Sequence, residues 1–140
     1  MSLKVLLAAP SFGKYVKEGK GALKREHRQK VDIEATCSVD LDTHGPPSGH
    51  QEKRWDYLLV NHDGKGHGVE VHPASTSEVE AIIAKKRWAE ALLAREASKL
   101  TTVAWHWVAS GRVDIRKHDR SRKRLADAGI QFPREHIVIP

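Results

Sequence analysis

The chain has 140 residues, with 24 Lys and Arg against 18 Asp and Glu, a formal charge of +6 and a pI near 9.6. Its length suits one domain over residues 1–140 that buries a core without disulfides, and its single cysteine, Cys37, excludes an intramolecular disulfide and fits a reducing, cytoplasmic setting. No apolar run approaches the ~20 residues of a membrane span and Leu3–Ala9 is too short for a secretory signal core, while the basic balance favours a polyanionic partner, nucleic acid foremost.

In chain order, Pro10–Gln29 reads as a helix interrupted by Gly13, Gly19 and Gly21. Phe12, Tyr15, Val16, Ala22 and Leu23 form its apolar side, and Lys and Arg fill the rest. Val31–Asp42 alternates apolar and polar residues over its whole length, the pattern of one half-buried antiparallel strand. Thr43–Glu52 is a Gly- and Pro-rich loop in which His44 and His50 are expected to be exposed. Trp55–Val60 and Gly68–His72 read as two strands, reversed by Asp63-Gly64-Lys65-Gly66. Ser77 and Glu80 have capping-box spacing before a helix to about Ser98, whose buried stripe is Val79, Ile82, Ile83, Ala89, Leu93, Ala97 and Leu100. Thr101–Ala109 suits an interior strand with His106 as a hydrogen-bonded core histidine. Arg112–Arg124 is densely basic, a short helix follows with Gly129 as its C-cap, Ile130–Pro133 reads as a link, and His136–Ile139 is a last strand. Three strands in succession favour an antiparallel meander, and strand, long helix, strand favours a parallel crossover. The expected class is α/β, a mixed sheet flanked by helices.

The chemistry in this pattern lies in the central hairpin. Strand side chains alternate with period two, so Glu70 and His72 share one face while Val69 and Val71 take the other, and Asp56 opens the preceding strand. A carboxylate inside a strand is costly if buried unpaired, so that face is either wet or holds something positive. The structural alternative is plain: Asp56 caps a strand end, Glu70 pairs with a nearby Lys or Arg, and His72 lies at the surface. The other histidines lack the i, i+4 spacing of a helical zinc pair. No Walker loop, dinucleotide fingerprint or helix-turn-helix signature is present.

The order of elements, with Asp56 at the start of one strand and Glu70-Val71-His72 on the next, resembles the PD-(D/E)xK nuclease superfamily. The resemblance covers roughly Tyr15 to Val108. It implies an αβββαβ restriction-endonuclease-like core, with Asp56 and Glu70 as ligands of Mg²⁺ or Mn²⁺ and catalytic residues of a metal-dependent nuclease acting on DNA or RNA. His72 stands at the position of the superfamily's lysine, which activates water. Some members carry that lysine on a neighbouring element; Lys85 or Lys86 of the long helix could serve, and Lys86 is named with Asp56, Glu70 and His72 in the expected catalytic set. A first-helix glutamate, Glu18 or Glu26, would complete such a site. Arg120, Arg122, Lys123 and Arg124 are the expected nucleic-acid contacts, and a homodimer is a further expectation from the family. Two other functions compete: a non-catalytic nucleic-acid-binding module of the same fold, which needs only a continuous basic face, and a small protein-interaction domain, which should expose an apolar patch.

Overall fold

The computed structural model describes residues 2–46, 53–116 and 120–140. The helices are α1 (Ser2–Leu7), α2 (Arg25–Arg28), α3 (Leu41–His44), α4 (Val79–Glu96) and α5 (Arg120–Asp127). The strands are β1 (Lys17–Glu18), β2 (Val31–Ile33), β3 (Ala35–Asp40), β4 (Tyr57–Asn61), β5 (Gly66–His72), β6 (Thr102–Ala109), β7 (Ile130–Arg134) and β8 (Ile137–Ile139). Six strands form one mixed sheet in the order β1-β3-β4-β5-β6-β7, and β2 and β8 form a separate parallel pair. The neighbours from β1 to β5 are antiparallel; β5, β6 and β7 are parallel. The class is thus mixed α/β, with the meander and the α4 crossover where the patterning places them. Among the described residues no helix is long and apolar enough to cross a membrane.

The sheet has an apolar layer on each side. Leu58, Val60, Trp105 and Trp107 pack toward α4, against Ile82, Ala89 and Leu92; Tyr57, Leu59, Val69 and Val108 pack toward Leu23, Ile33 and Ile139. Strand alternation decides which residue joins which layer. Two local devices fix the hairpin. Asn61 Oδ1 accepts from the Asp63 and Lys65 amides at 3.1 and 3.0 Å, and Gly64 takes φ +78°, which closes the reversal. Gly68 is required by packing, since a Cβ there would lie 2.3 Å from the Trp105 ring.

Four local expectations are corrected. The continuous helix over Pro10–Gln29 is instead a 3-10 turn (Gly13–Tyr15), the two residues of β1 and the single turn of α2. Gly19 at φ +54° is incompatible with a helix, and the apolar residues Phe12 and Leu23 are buried without one. The strand over Val31–Asp42 breaks at Glu34: β2 pairs with β8, and only β3 joins the hairpin. Ser77 does not cap α4; it lies in a 3-10 turn (Thr76–Glu78) with its hydroxyl 3.0 Å from that of Ser75, and α4 begins at Val79. Ile130–Pro133 is part of β7, an edge strand, where proline removes no ladder hydrogen bond that is needed. Gly129, at φ +75°, does end α5 as the sequence suggests. His50 lies outside the described residues.

Candidate functional site

The antiparallel register of β4 and β5 pairs Tyr57 with Val69 and so sets Asp56, one residue before β4, beside Glu70. Each acid accepts a main-chain amide, Glu70 from Asp56 itself and Asp56 from Val71, the residue after Glu70. The Asp56 amide donates to Glu70 Oε1 at 2.8 Å, and the Val71 amide donates to Asp56 Oδ2 at 3.0 Å. Glu70 is fully buried, on the α4 side of the sheet and across from Trp107 on β6. Lys85 reaches down from α4 and donates from Nζ to Glu70 Oε2 at 2.5 Å, with its own side chain only 16% exposed. Asp56 Oδ1 takes no hydrogen bond among the described residues.

Burial pushes the Glu70 carboxyl up to about 8, helped by the neighbouring Asp56 charge and opposed by Lys85 and the Asp56 amide. Asp56 is also raised, chiefly by burial, with the Val71 amide and Lys85 pulling the other way. The short contact to the lysine marks the pair as charge-assisted. Two adjacent carboxylates sharing one ammonium form a site with an excess of negative charge when both are ionised.

His72 lies at the rim, on the same face as Glu70. Its Nδ1 is 3.9 Å from Glu70 Oε2, and its Nε2 is 3.2 Å from Glu78 Oε2 without hydrogen-bond alignment. Lys86 is not part of the cluster: its Nζ pairs with Glu90 at 3.2 Å and lies 5.5 Å over the Trp105 ring. One residue turns a helix by about 100°, which sends neighbouring lysines to opposite flanks of α4. Lys85 is therefore the lysine at the carboxylates. Neither Glu18, on β1, nor Glu26, on α2, has a side chain bonded to them; both are exposed. Of the four basic residues on α5, Arg124 pairs with Glu80 at 2.9 Å and Arg122 lies 4.9 Å over the Phe132 ring, while Arg120 and Lys123 are exposed.

The residues available to a cation are Asp56 and Glu70; among the described residues no group of three or more His, Cys, Asp or Glu side chains is arranged as a metal cage. A cleft of 340 Å³ on the far flank of α4, lined by Ile83, Arg87, Arg124, Asp127 and Ala128, holds none of this chemistry. No protein-family model, no curated protein and no solved structure matches the chain.

Proposed function

We propose that the Asp56–Glu70–Lys85 cluster is the active site of a metal-dependent nuclease with a restriction-endonuclease-like core, acting on DNA or RNA. The observation that carries this reading is the convergence of a strand carboxylate (Glu70), a carboxylate at the entry to β4 (Asp56) and one helix lysine, joined by bonds of 2.8 and 2.5 Å in a buried setting. The donor set suits a hard cation: Asp56 and Glu70 offer oxygens, and main-chain carbonyls and water commonly complete such shells. A bound Mg²⁺ or Mn²⁺ would polarise a phosphodiester and acidify water. Lys85 favours the ionised form of Glu70 against its burial, and places an ammonium where negative charge develops on a transferred phosphoryl group. It takes the role of the motif lysine from α4, and His72 occupies the vacated strand position.

One observation favours the binding-module alternative. Both oxygens of Glu70 already accept bonds from the protein, so a cation must displace Lys85 or share an oxygen with it. The deciding experiment follows cleavage of plasmid DNA and of a mixed-sequence RNA with Mg²⁺ or Mn²⁺, alongside melting with and without millimolar Mn²⁺. The nuclease reading expects cleavage that is lost in Glu70→Gln and Asp56→Asn. It also expects a stabilisation by Mn²⁺ of about 2.7 kcal/mol at a hundredfold excess over Kd, which Glu70→Gln should abolish. Absence of both cleavage and metal stabilisation in the wild type would leave the binding module as the surviving reading.

A further inference from the structure

Residues 14–30 carry seven Lys and Arg against two acids, Glu18 and Glu26. Among the described residues none of these cations forms an ion pair with a carboxylate. Those held in place are bound to main-chain carbonyls: Lys20 Nζ donates to Val31 O at 2.8 Å, Arg28 Nε to Leu23 O at 2.9 Å, and Lys30 Nζ to Ala109 O at 3.1 Å. The segment is fixed by its own positive groups, and among the described residues no carboxylate pairs with them. On α4 and α5, by contrast, Lys86 and Arg124 are neutralised by Glu90 and Glu80.

The segment also borders the candidate site. The Lys24 amide and His27 Nδ1 lie 3.3 and 2.8 Å from the hydroxyl of Tyr57, the residue after Asp56, and His27 is near enough to bear electrostatically on Asp56. Lys30 caps the end of β6 at Ala109, which is in register with His72. On the α3 side, Tyr15 stacks on His44 at 3.8 Å, and Asp56 O accepts the amides of Leu41 and Asp42. Lys24 and Arg25, with exposed side chains, thus lie on the Tyr57 side of the sheet, at the end where Asp56 leads into β4.

We propose that Lys24 and Arg25, on the stapled basic segment, hold the phosphodiester backbone of a nucleic acid beside the Asp56–Glu70 site, in preference to the partly neutralised α5. This deepens the nuclease reading and rests on it for the identity of the polyanion. Cations without carboxylate partners among the described residues bind phosphates at no cost in broken ion pairs, and each phosphate neutralised adds to the salt dependence of binding. Fluorescence anisotropy of the full chain with a labelled mixed-sequence duplex, in EDTA and over a salt series, tests this without requiring cleavage. Lys24→Ala/Arg25→Ala is expected to weaken binding about tenfold near 0.1 M salt and to reduce the slope of log K against log salt by about 2. Lys24→Glu/Arg25→Glu, with a circular dichroism spectrum like that of the wild type, should weaken it further. Wild-type binding with an unchanged slope in these variants overturns the proposal. So does a larger loss in Arg122→Ala/Lys123→Ala, or tighter association with vesicles containing phosphatidylserine than with the duplex. If binding behaves as expected but no metal supports cleavage, the nuclease reading falls while the interface stands.

Discussion

β5 carries a buried polar cluster on each face, and the two are built on opposite electrical principles. On the α4 face, Glu70 is an acid held by Lys85 and the Asp56 main-chain amide, and the second acid, Asp56, is held by the Val71 amide. On the other face, His67 Nδ1 lies 3.1 Å from His106 Nε2, and Asn61 Nδ2 lies 3.4 Å from His67 Nε2 and donates to Pro140 O at 3.2 Å. The Asn61 amide nitrogen can only donate, so His67 Nε2 accepts and its Nδ1–H donates to His106; the chain is satisfied with both rings neutral. Burial acts on both clusters by favouring the uncharged form, raising Glu70 to about 8 and lowering His106 to about 4, with His67 adding to the second effect. The acid face answers with a counter-charge and the histidine face with neutral hydrogen bonds. Only the acid face is suited to exchange its cation for another, which is why the proposed chemistry lies there and the histidines are read as structure.

The sharpest way to break this comparison is to remove the counter-charge. Lys85→Met leaves Glu70 buried without its cation, and in urea unfolding should cost up to about 3 kcal/mol above pH 8, where the wild-type Glu70 is ionised. The loss should shrink as pH falls below about 8, where Glu70 takes up a proton. Adding Glu70→Leu should recover much of the stability, because paired removal leaves no orphan charge. A Lys85→Met variant as stable as the wild type well above pH 8 would show that the pair is not what satisfies Glu70.

The pH dependence sharpens the contrast, because the two faces carry opposite signs. Glu70 binds its proton more tightly folded than unfolded, so its contribution is complete below its ordinary value of 4.5 and is lost as pH rises toward about 8. His106 binds its proton less tightly folded, so its contribution is complete above 6.5 and is lost as pH falls through about 4. Each group changes stability by at most about 1.4 kcal/mol per pH unit. Glu70→Gln should therefore unmask a fall in stability from pH 6.5 to 4, and His106→Gln should unmask a fall from pH 5 to 8. Parallel pH profiles for the two variants would remove the distinction between the faces.

How much of this was readable from the sequence follows the same division. The hairpin was legible from its turn and its period-two alternation, whereas the pairing of Asp56 with Glu70 was only what the resemblance implied, because the register of β4 on β5 is not written in either strand alone. The choice of Lys85 over Lys86 was not legible. Both lysines lie among the buried positions of α4, and which flank meets the end of β5 is decided by the packing of α4 on the sheet. The His67–His106 contact was legible by half: His106 reads as a hydrogen-bonded core histidine and is one, but its partner was hidden, because the contact joins β5 to β6 across a crossover helix. The break at Glu34 was masked by unbroken alternation, since both sheets accept the same pattern. β7 was disguised by Pro133, which is compatible with a strand only once that strand is known to be an edge. The glycines of residues 13–21 were visible as interruptions, yet an apolar spacing that packs against a sheet without helical structure still looks helical.

The smallest stability effect is expected at His72, which lies at the rim between a fully buried acid and solvent. Its side chain is 24% exposed and its contacts to Glu70 and Glu78, at 3.9 and 3.2 Å, lack hydrogen-bond alignment. Pairs of this kind contribute about 0–1 kcal/mol, so His72→Lys should shift the unfolding midpoint little. Its effect on function should be disproportionate. A lysine here would place a second ammonium beside Glu70 and restore the residue that the resembled motif carries on this strand. If this position helps to activate water, cleavage by His72→Lys should equal or exceed that of the wild type, and His72→Lys/Lys85→Met should retain part of it. If α4 alone supplies the working cation, the double variant should be inactive while His72→Lys cleaves at the wild-type rate. Initial rates for the three proteins, measured on one substrate at saturating Mn²⁺, separate these outcomes and show whether the lysine's task has moved wholly to α4 or is still shared with the strand.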